Sequence, residues 1–152
     1  MRRLLLALAV VTASVAVACS DSTPFAPNVA TANYAPSLGV DIANSVRTAS
    51  GLYYRDITVG AGTLVPDATS KTVATQYQGF LRSGVAFDSG SFSFVTGTGA
   101  VIDGYDEGVR GMRVGGVRQL IIPPSLGYGS SGSGSIPGNS ILIFNVRVTN
   151  VF

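Results

Sequence analysis

Apolar and polar positions alternate with a period of two over much of the chain. In "ILIFNVRVTNVF", Leu142, Phe144, Val146 and Val148 fall on one side, while Ile141, Ile143, Asn145, Arg147 and Thr149 take the other. The second side turns polar as the segment proceeds, which predicts a strand with a buried face. "KTVATQYQGFL" repeats the pattern, with Val73, Thr75, Tyr77, Gly79 and Leu81 on one face. "GLYYRDITV" alternates aromatic and β-branched residues, and "GAGTLVPDATS" separates the two runs with turn chemistry. "VRQLII" reads as a further strand, ended by Pro123 and Pro124 because proline has no ladder donor. Between these, "RSGVAFDSGS" predicts a turn, a short strand and a second turn, and "FSFV" a separate short strand before "TGTG".

One segment has helical spacing. In "AVIDGYDEGVRGM", Val101, Tyr105 and Val109 recur at four-residue steps, and Asp103, Asp106 and Glu107 lie near the end where carboxylates favour the helix dipole. Gly111 is the expected stop. A helix of about two turns is marginal alone, so it must pack on a sheet. The expected fold class is α+β: a curved antiparallel sheet with one short helix laid on its apolar face, leaving apolar side chains facing a gap.

The chain's beginning follows other rules. Arg2 and Arg3 precede the apolar, small-residue run "LLLALAVVTASVAVA", and Ala16 and Ala18 form an A-x-A cleavage pattern. Residues 1–18 therefore read as a signal peptide for export. The run is too short and too interrupted by Thr12 and Ser14 for a membrane span. Cys19, the only cysteine, follows at once. "AVAC" resembles the bacterial lipobox, whose cysteine becomes lipidated and anchors the protein, with Ala16 where leucine is usual. Ordinary cleavage after Ala18 is the alternative. Ser20 after the cysteine fits a periplasm-facing outer-membrane lipoprotein. Residues 19–50, with "SDSTPFAPNVATANYAPS", read as a tether and lead-in, and residues 51–152 as the folded domain.

Composition narrows the chemistry. The 46% hydrophobic content supports a packed core. The formal charge of +2 falls to zero once Arg2 and Arg3 are removed, and Lys71 is the only lysine, so a nucleic-acid partner is not expected. With no histidine and one cysteine, neither a zinc site nor a histidine-based triad is available, and no cofactor or metal is expected.

The candidate site is the gap. Phe87, Asp88, Phe92, Val101, Ile102, Tyr105, Tyr128, Ile136 and Phe144 occupy element ends and inward faces around it. Each aromatic or aliphatic residue alone fits an ordinary core position. Together they suggest a concave aromatic cleft with few polar groups, the composition of an apolar-ligand site. Asp88 is either a turn cap or an orienting group at the rim. "YGSSGSGSIPG" reads as a loop across the mouth, with Tyr128 and Ile136 as its inward contacts.

"YQGFLRSGVAFDSG", "VIDGYDEGVRGMRVGGVRQLIIPPSLGYG" and "IPGNSILIFNVRV" appear in that order. Together they resemble the FKBP-type peptidyl-prolyl isomerases from about Gly51 to Phe152. The resemblance implies a proline pocket with Tyr77, Phe87 and Asp88 on one wall, Phe92 against the ligand, and Val101 and Ile102 at the edge. It implies that the Ile102 backbone N–H donates to a substrate carbonyl, and that Tyr128, Ile136 and Phe144 complete the wall. Tyr105 stands where the best-known members have a tryptophan floor. The segment "SGS" between Asp88 and Phe92 reads as a loop shorter than theirs and lacks the arginine they place there. The mouth loop has no histidine and is one residue shorter between Tyr and Ile-Pro.

The function so implied is cis–trans isomerisation of Xaa-Pro bonds in exported polypeptides, with macrolides of the type that block this family as possible inhibitors. A non-catalytic peptide-binding or chaperone module on the cell envelope is the alternative.

Overall fold

A computed structural model describes residues 26–67 and 70–152. The expected signal peptide and Cys19 lie outside the described residues. Six strands, β1 (Val46–Arg47), β2 (Tyr53–Thr58), β3 (Thr72–Leu81), β4 (Ala86–Val95), β5 (Val117–Ile122) and β6 (Leu142–Val151), form one sheet. Its order is β1-β2-β5-β6-β3-β4, and every pairing is antiparallel. The single α-helix among the described residues, α1 (Asp103–Val109), lies between β4 and β5 in sequence and packs on β5. The expected α+β architecture is therefore present.

The alternation of β6 becomes two separate cores. Leu142, Phe144, Val146 and Val148 join Leu52, Val73, Leu120 and Ile122 under the helix, with Tyr105 and Val109 supplied by α1. Ile141 and Ile143 turn to the other face and pack with Ile121, Val29 and Leu38. Each fully buried aliphatic side chain contributes about 1.5–3 kcal/mol relative to exposure, so both faces of the central strands stabilise the fold.

That outer core includes residues from the stretch 19–50 that reads as tether and lead-in, and shows that its described part is packed on the domain. Val29 and Leu38 are buried, Tyr34 donates to Val29 O at 2.7 Å, and Gln119 Nε2 reaches across to Leu38 O at 2.8 Å. Two further hydrogen bonds hold the segment: Ala35 N–H donates to Arg82 O, and the Arg55 guanidinium donates to Gly39 O, both at 2.8 Å. Val29, Leu38 and the partly buried Ala32, Tyr34, Ala35, Val40 and Ile42 form a cover over an apolar sheet face.

The helix contains two glycines, each costing about 1 kcal/mol in intrinsic propensity. Their placement explains why it forms. A Cβ on Gly104 would stand 2.5 Å from Ile122 Cγ2, and one on Gly108 would stand 2.6 Å from Leu120 Cδ1. The glycine stripe brings the helix backbone close to β5, and the buried contact offsets the lost propensity. The far end is held by Arg118, which donates to Gly108 O and Arg110 O at 3.0 Å while pairing with Asp56 at 2.7 and 3.0 Å. Gly111, the expected stop, has φ 73° just past the cap residue Arg110.

Strand β4 corrects a second expectation. Ser89, Gly90 and Ser91 make no turn; they stay in one ten-residue strand, opposite Gln78, Tyr77 and Gln76 of β3. The continuous ladder to β3 outweighs their turn preference.

Candidate functional site

Between the sheet and the start of α1 lies a cavity of about 160 Å³. Tyr77 from β3, Phe87, Asp88 and Phe92 from β4, and Phe144 from β6 supply the sheet side. Ala100, Val101 and Ile102 come from the loop into the helix, Tyr105 from its first turn, and Tyr128 from the loop after β5. Strand alternation puts Phe92 and Asp88 on the same side of β4, while Val101, just before the helix, and Tyr105, in its first turn, both line the cavity.

Tyr105 is the floor. Its ring meets Phe144 edge-on with centroids 5.4 Å apart and lies 5.8 Å from both Phe92 and Phe94. Its hydroxyl points away from the opening and donates to Thr75 Oγ1 at 2.9 Å. Burial raises its pKa far above the usual phenol value, so it stays neutral. The floor thus presents carbon, while the polar end is satisfied beneath it.

The wall carries a directed polar pair. Tyr77 stands edge-on to Phe92 at 5.3 Å, and its hydroxyl donates to Asp88 Oδ2 at 2.5 Å. That bond, with burial second, pushes the Tyr77 pKa from 10.0 to about 12. Asp88 Oδ1 accepts the Ser89 backbone N–H at 2.8 Å. Asp88 is thus oriented by a phenol and a backbone donor in a chain that has no arginine at the adjacent position.

Two donors remain open at the rim. Ile102 is extended at φ −60°, ψ 146°, and its C=O accepts from Tyr105 and Asp106 at the helix start. Its own N–H has no acceptor among the described residues, and the Tyr128 hydroxyl has no hydrogen-bond partner among them either. Tyr128 is 38% exposed, as a group at a mouth must be.

Ile136 departs from its expected place. It is buried in the core under the helix and is not among the residues walling the cavity. The mouth loop folds on itself: Ser133 and Ile136 exchange backbone bonds at 3.0 and 2.8 Å, and Asn139 N–H closes on Gly129 O at 2.8 Å. A Cβ on Gly138 would meet Ser130 O, so the glycines allow close backbone approach in a wound loop.

Sequence reading missed Ala100, Thr75 and the part played by Gly79. A Cβ on Gly79 would lie 2.6 Å from the Phe87 ring and 2.9 Å from Phe144 Cε1. Its absence lets those rings meet, 5.4 Å apart at 83°. A glycine inside a strand pattern is the signal that pointed there.

Another depression, about 370 Å³, lies over Gln76, Gln78, Ser89, Ser91, Asn145 and Arg147. It is open, of mixed polar and apolar lining, and Tyr77 is the one aromatic residue among those that line it. Among the described residues there is no group of acidic, cysteine or histidine side chains able to hold a metal, and no helix long and apolar enough to cross a membrane.

The family description "FKBP-type peptidyl-prolyl cis-trans isomerase" matches residues 66–149. The chain belongs to that family. Membership places the matched FKBP domain among the peptidyl-prolyl isomerases, with proline-containing peptides as its substrate class. FK506-binding protein 2 of Dictyostelium discoideum is 53% identical over 81 residues, covering 49% of this chain and 61% of that protein. FK506-binding protein 4 of Gibberella zeae is 43% identical over 113 residues, covering 72% of this chain, but this chain covers only 22% of its length. FKBP folds also match in space. The crystal structure of AtFKBP13 matches with a TM-score of 0.65 and 32% identity, covering 70% of this chain and 97% of that one. FkpA from Escherichia coli matches at 0.64 and 35% identity, covering 71% and 51%.

Proposed function

We propose that this chain is an exported folding catalyst that rotates Xaa-Pro bonds of partly folded polypeptides in the aromatic cavity. The observation that carries the reading is the Tyr105 floor beneath two unengaged donors, Ile102 N–H and Tyr128 hydroxyl. A volume of about 160 Å³ suits a prolyl ring, whereas drug-sized ligands fill about 300–1,000 Å³.

Resonance makes the amide planar, with a barrier of about 18–20 kcal/mol. Rotation breaks no covalent bond and needs no nucleophile. The site must fit the twisted amide better than either planar form. Phe87, Phe92, Tyr105 and Phe144 grip the ring and exclude water from an amide losing its charge separation. Val101 borders the edge, Ile102 N–H and the Tyr128 hydroxyl hold flanking carbonyls, and Asp88, oriented by Tyr77, stands beside the twisting carbonyl.

The test is cis-to-trans exchange of short Xaa-Pro peptides, with several Xaa residues, and the full chain as catalyst. Acceleration that disappears in Phe87→Ala supports the reading. Peptide binding without acceleration would assign the cavity to a non-catalytic peptide-binding or chaperone module. A macrolide of the family's inhibitor type is expected to compete for the cavity, with most of its surface outside it.

Export rests on the sequence of residues 1–18, and anchoring on Cys19. Mass spectrometry of the native N-terminus is expected to find cleavage before a lipidated Cys19. An unmodified cysteine would remove the lipoprotein assignment and leave the isomerase reading intact.

A further inference from the structure

Among the described residues, strand β4 closes one side of the sheet, with β3 as its only neighbour. Thr96 N–H donates to Lys71 O at 2.9 Å, and Thr96 O accepts from Ser70 N–H at 2.8 Å, so Thr96 turns its backbone groups toward β3. The β3–β4 register then runs unbroken from Thr72 opposite Val95 to Gly79 opposite Asp88. Antiparallel alternation therefore turns the backbone groups of Phe94, Phe92 and Gly90 inward, and those of Val95, Ser93, Ser91 and Ser89 outward.

Two of the outward groups are capped locally. Asp88 Oδ1 takes the Ser89 N–H, and Thr98 Oγ1 donates to Val95 O at 2.8 Å. The outward N–H and C=O groups of Ser91 and Ser93 have no partner among the described residues. Natural edges are blunted by charge, proline or bulges. From Ser89 to Val95 there is no charged residue and no proline, and the register shift lies beyond, between Gly79 and Phe80.

We propose that this edge receives the extended backbone of a client polypeptide as an added strand while the client's proline occupies the cavity. The inference rests on the reading of the cavity as an Xaa-Pro site. Continuity argues for that occupant: Phe92, whose ring walls the cavity, lies between Ser91 and Ser93. A chain leaving the cavity reaches their backbone groups within one or two extended residues of about 3.3 Å each. The cavity takes little more than a ring, so flanking residues need partners elsewhere. Backbone pairing supplies them without reading side chains, which suits clients of many sequences.

Amide hydrogen exchange of the full chain, followed by NMR, tests the pairing. Probes are a tetrapeptide with a central Xaa-Pro and a longer peptide extending the same core on both sides. The Ser91 and Ser93 amides are expected to exchange freely alone and with the tetrapeptide, and to slow about tenfold with the saturating longer peptide. Response of Phe87 and Tyr105 to the longer peptide without protection at Ser91 and Ser93 would overturn the edge pairing and leave the cavity reading standing. No response at either place would overturn both. Protection without peptide that rises with protein concentration would give the edge to a second copy and overturn the client assignment. Ser91→Pro removes the outward N–H while sparing the ladder to β3, and is expected to weaken the longer peptide about tenfold more than the tetrapeptide. Equal weakening of both would overturn the proposal.

Discussion

The Tyr77 hydroxyl donates to Asp88 Oδ2 across adjacent strands, and this bond aims the one carboxylate that the described residues place on the cavity wall. Replacing Tyr77 by Phe keeps the ring contact with Phe92 and removes the aim. A charge-assisted hydrogen bond is worth about 1.5–3 kcal/mol, so kcat/KM for an Xaa-Pro peptide is expected to fall about tenfold. An unchanged kcat/KM in Tyr77→Phe would mean that Asp88 needs no orientation by the phenol.

Alkali is expected to loosen the fold through its phenols. Tyr34 and Tyr77 are each raised from 10.0 to about 12, Tyr34 first by burial and Tyr77 first by its bond to Asp88; burial also raises Tyr105. A raised phenol keeps its proton in the folded state at a pH where the unfolded chain has released it. The folded state then binds more protons, so stability falls as pH rises. The contribution is complete below about pH 10 and is lost as pH rises toward 12. Urea midpoints across that window are expected to decline, less steeply in Tyr34→Phe. A flat profile would contradict the assignment.

Gly79→Ala tests the close approach of the rings. The added methyl must displace Phe87 or Phe144, the two rings nearest to it. Overpacking costs about 1–3 kcal/mol, and the displaced ring enters the cavity. Activity is therefore expected to fall more than stability, seen as a raised KM beside a modest shift in the urea midpoint.

Removing the cover over the outer sheet face is expected to harm the fold although no cavity residue is lost. A chain beginning at Ser45 exposes Ile121, Ile141 and Ile143, and each large aliphatic uncovered costs up to about 1.5–3 kcal/mol. Thermal unfolding and light scattering check this: a lower midpoint and greater association are expected. An unaltered midpoint would return residues 26–44 to the status of tether.

The inner core was legible because two-residue alternation is a direct record of which side is buried. Leu142, Phe144, Val146 and Val148 stand where their spacing put them, as do Tyr105 and Val109 on the helix, whereas Val101 falls just before its start. The misreadings share one cause: local residue preference spoke against a tertiary partner out of view. Asp88-Ser89-Gly90-Ser91 carries turn chemistry, yet β3 supplies a ladder along all of it. The prolines and small residues between Ala26 and Leu38 suggested a spacer. The unheeded signal was Ile121, Ile141 and Ile143, an apolar outer face that required a lid. Ile136 is buried as its apolar character implied, but the winding of its loop has no periodic signal in the sequence.

The glycine stripe of α1 has a consequence for how such a cavity changes size. Tyr105 rides on the helix whose distance from β5 is set by the bare Cα atoms of Gly104 and Gly108. Depth is thus a dimension of the backbone, adjustable from behind without touching any wall residue. A methyl at Gly108, which is not itself a wall residue, would lift the helix and its ring together. A chain could in this way exchange one depth of proline pocket for another while every side chain that meets the substrate stays the same.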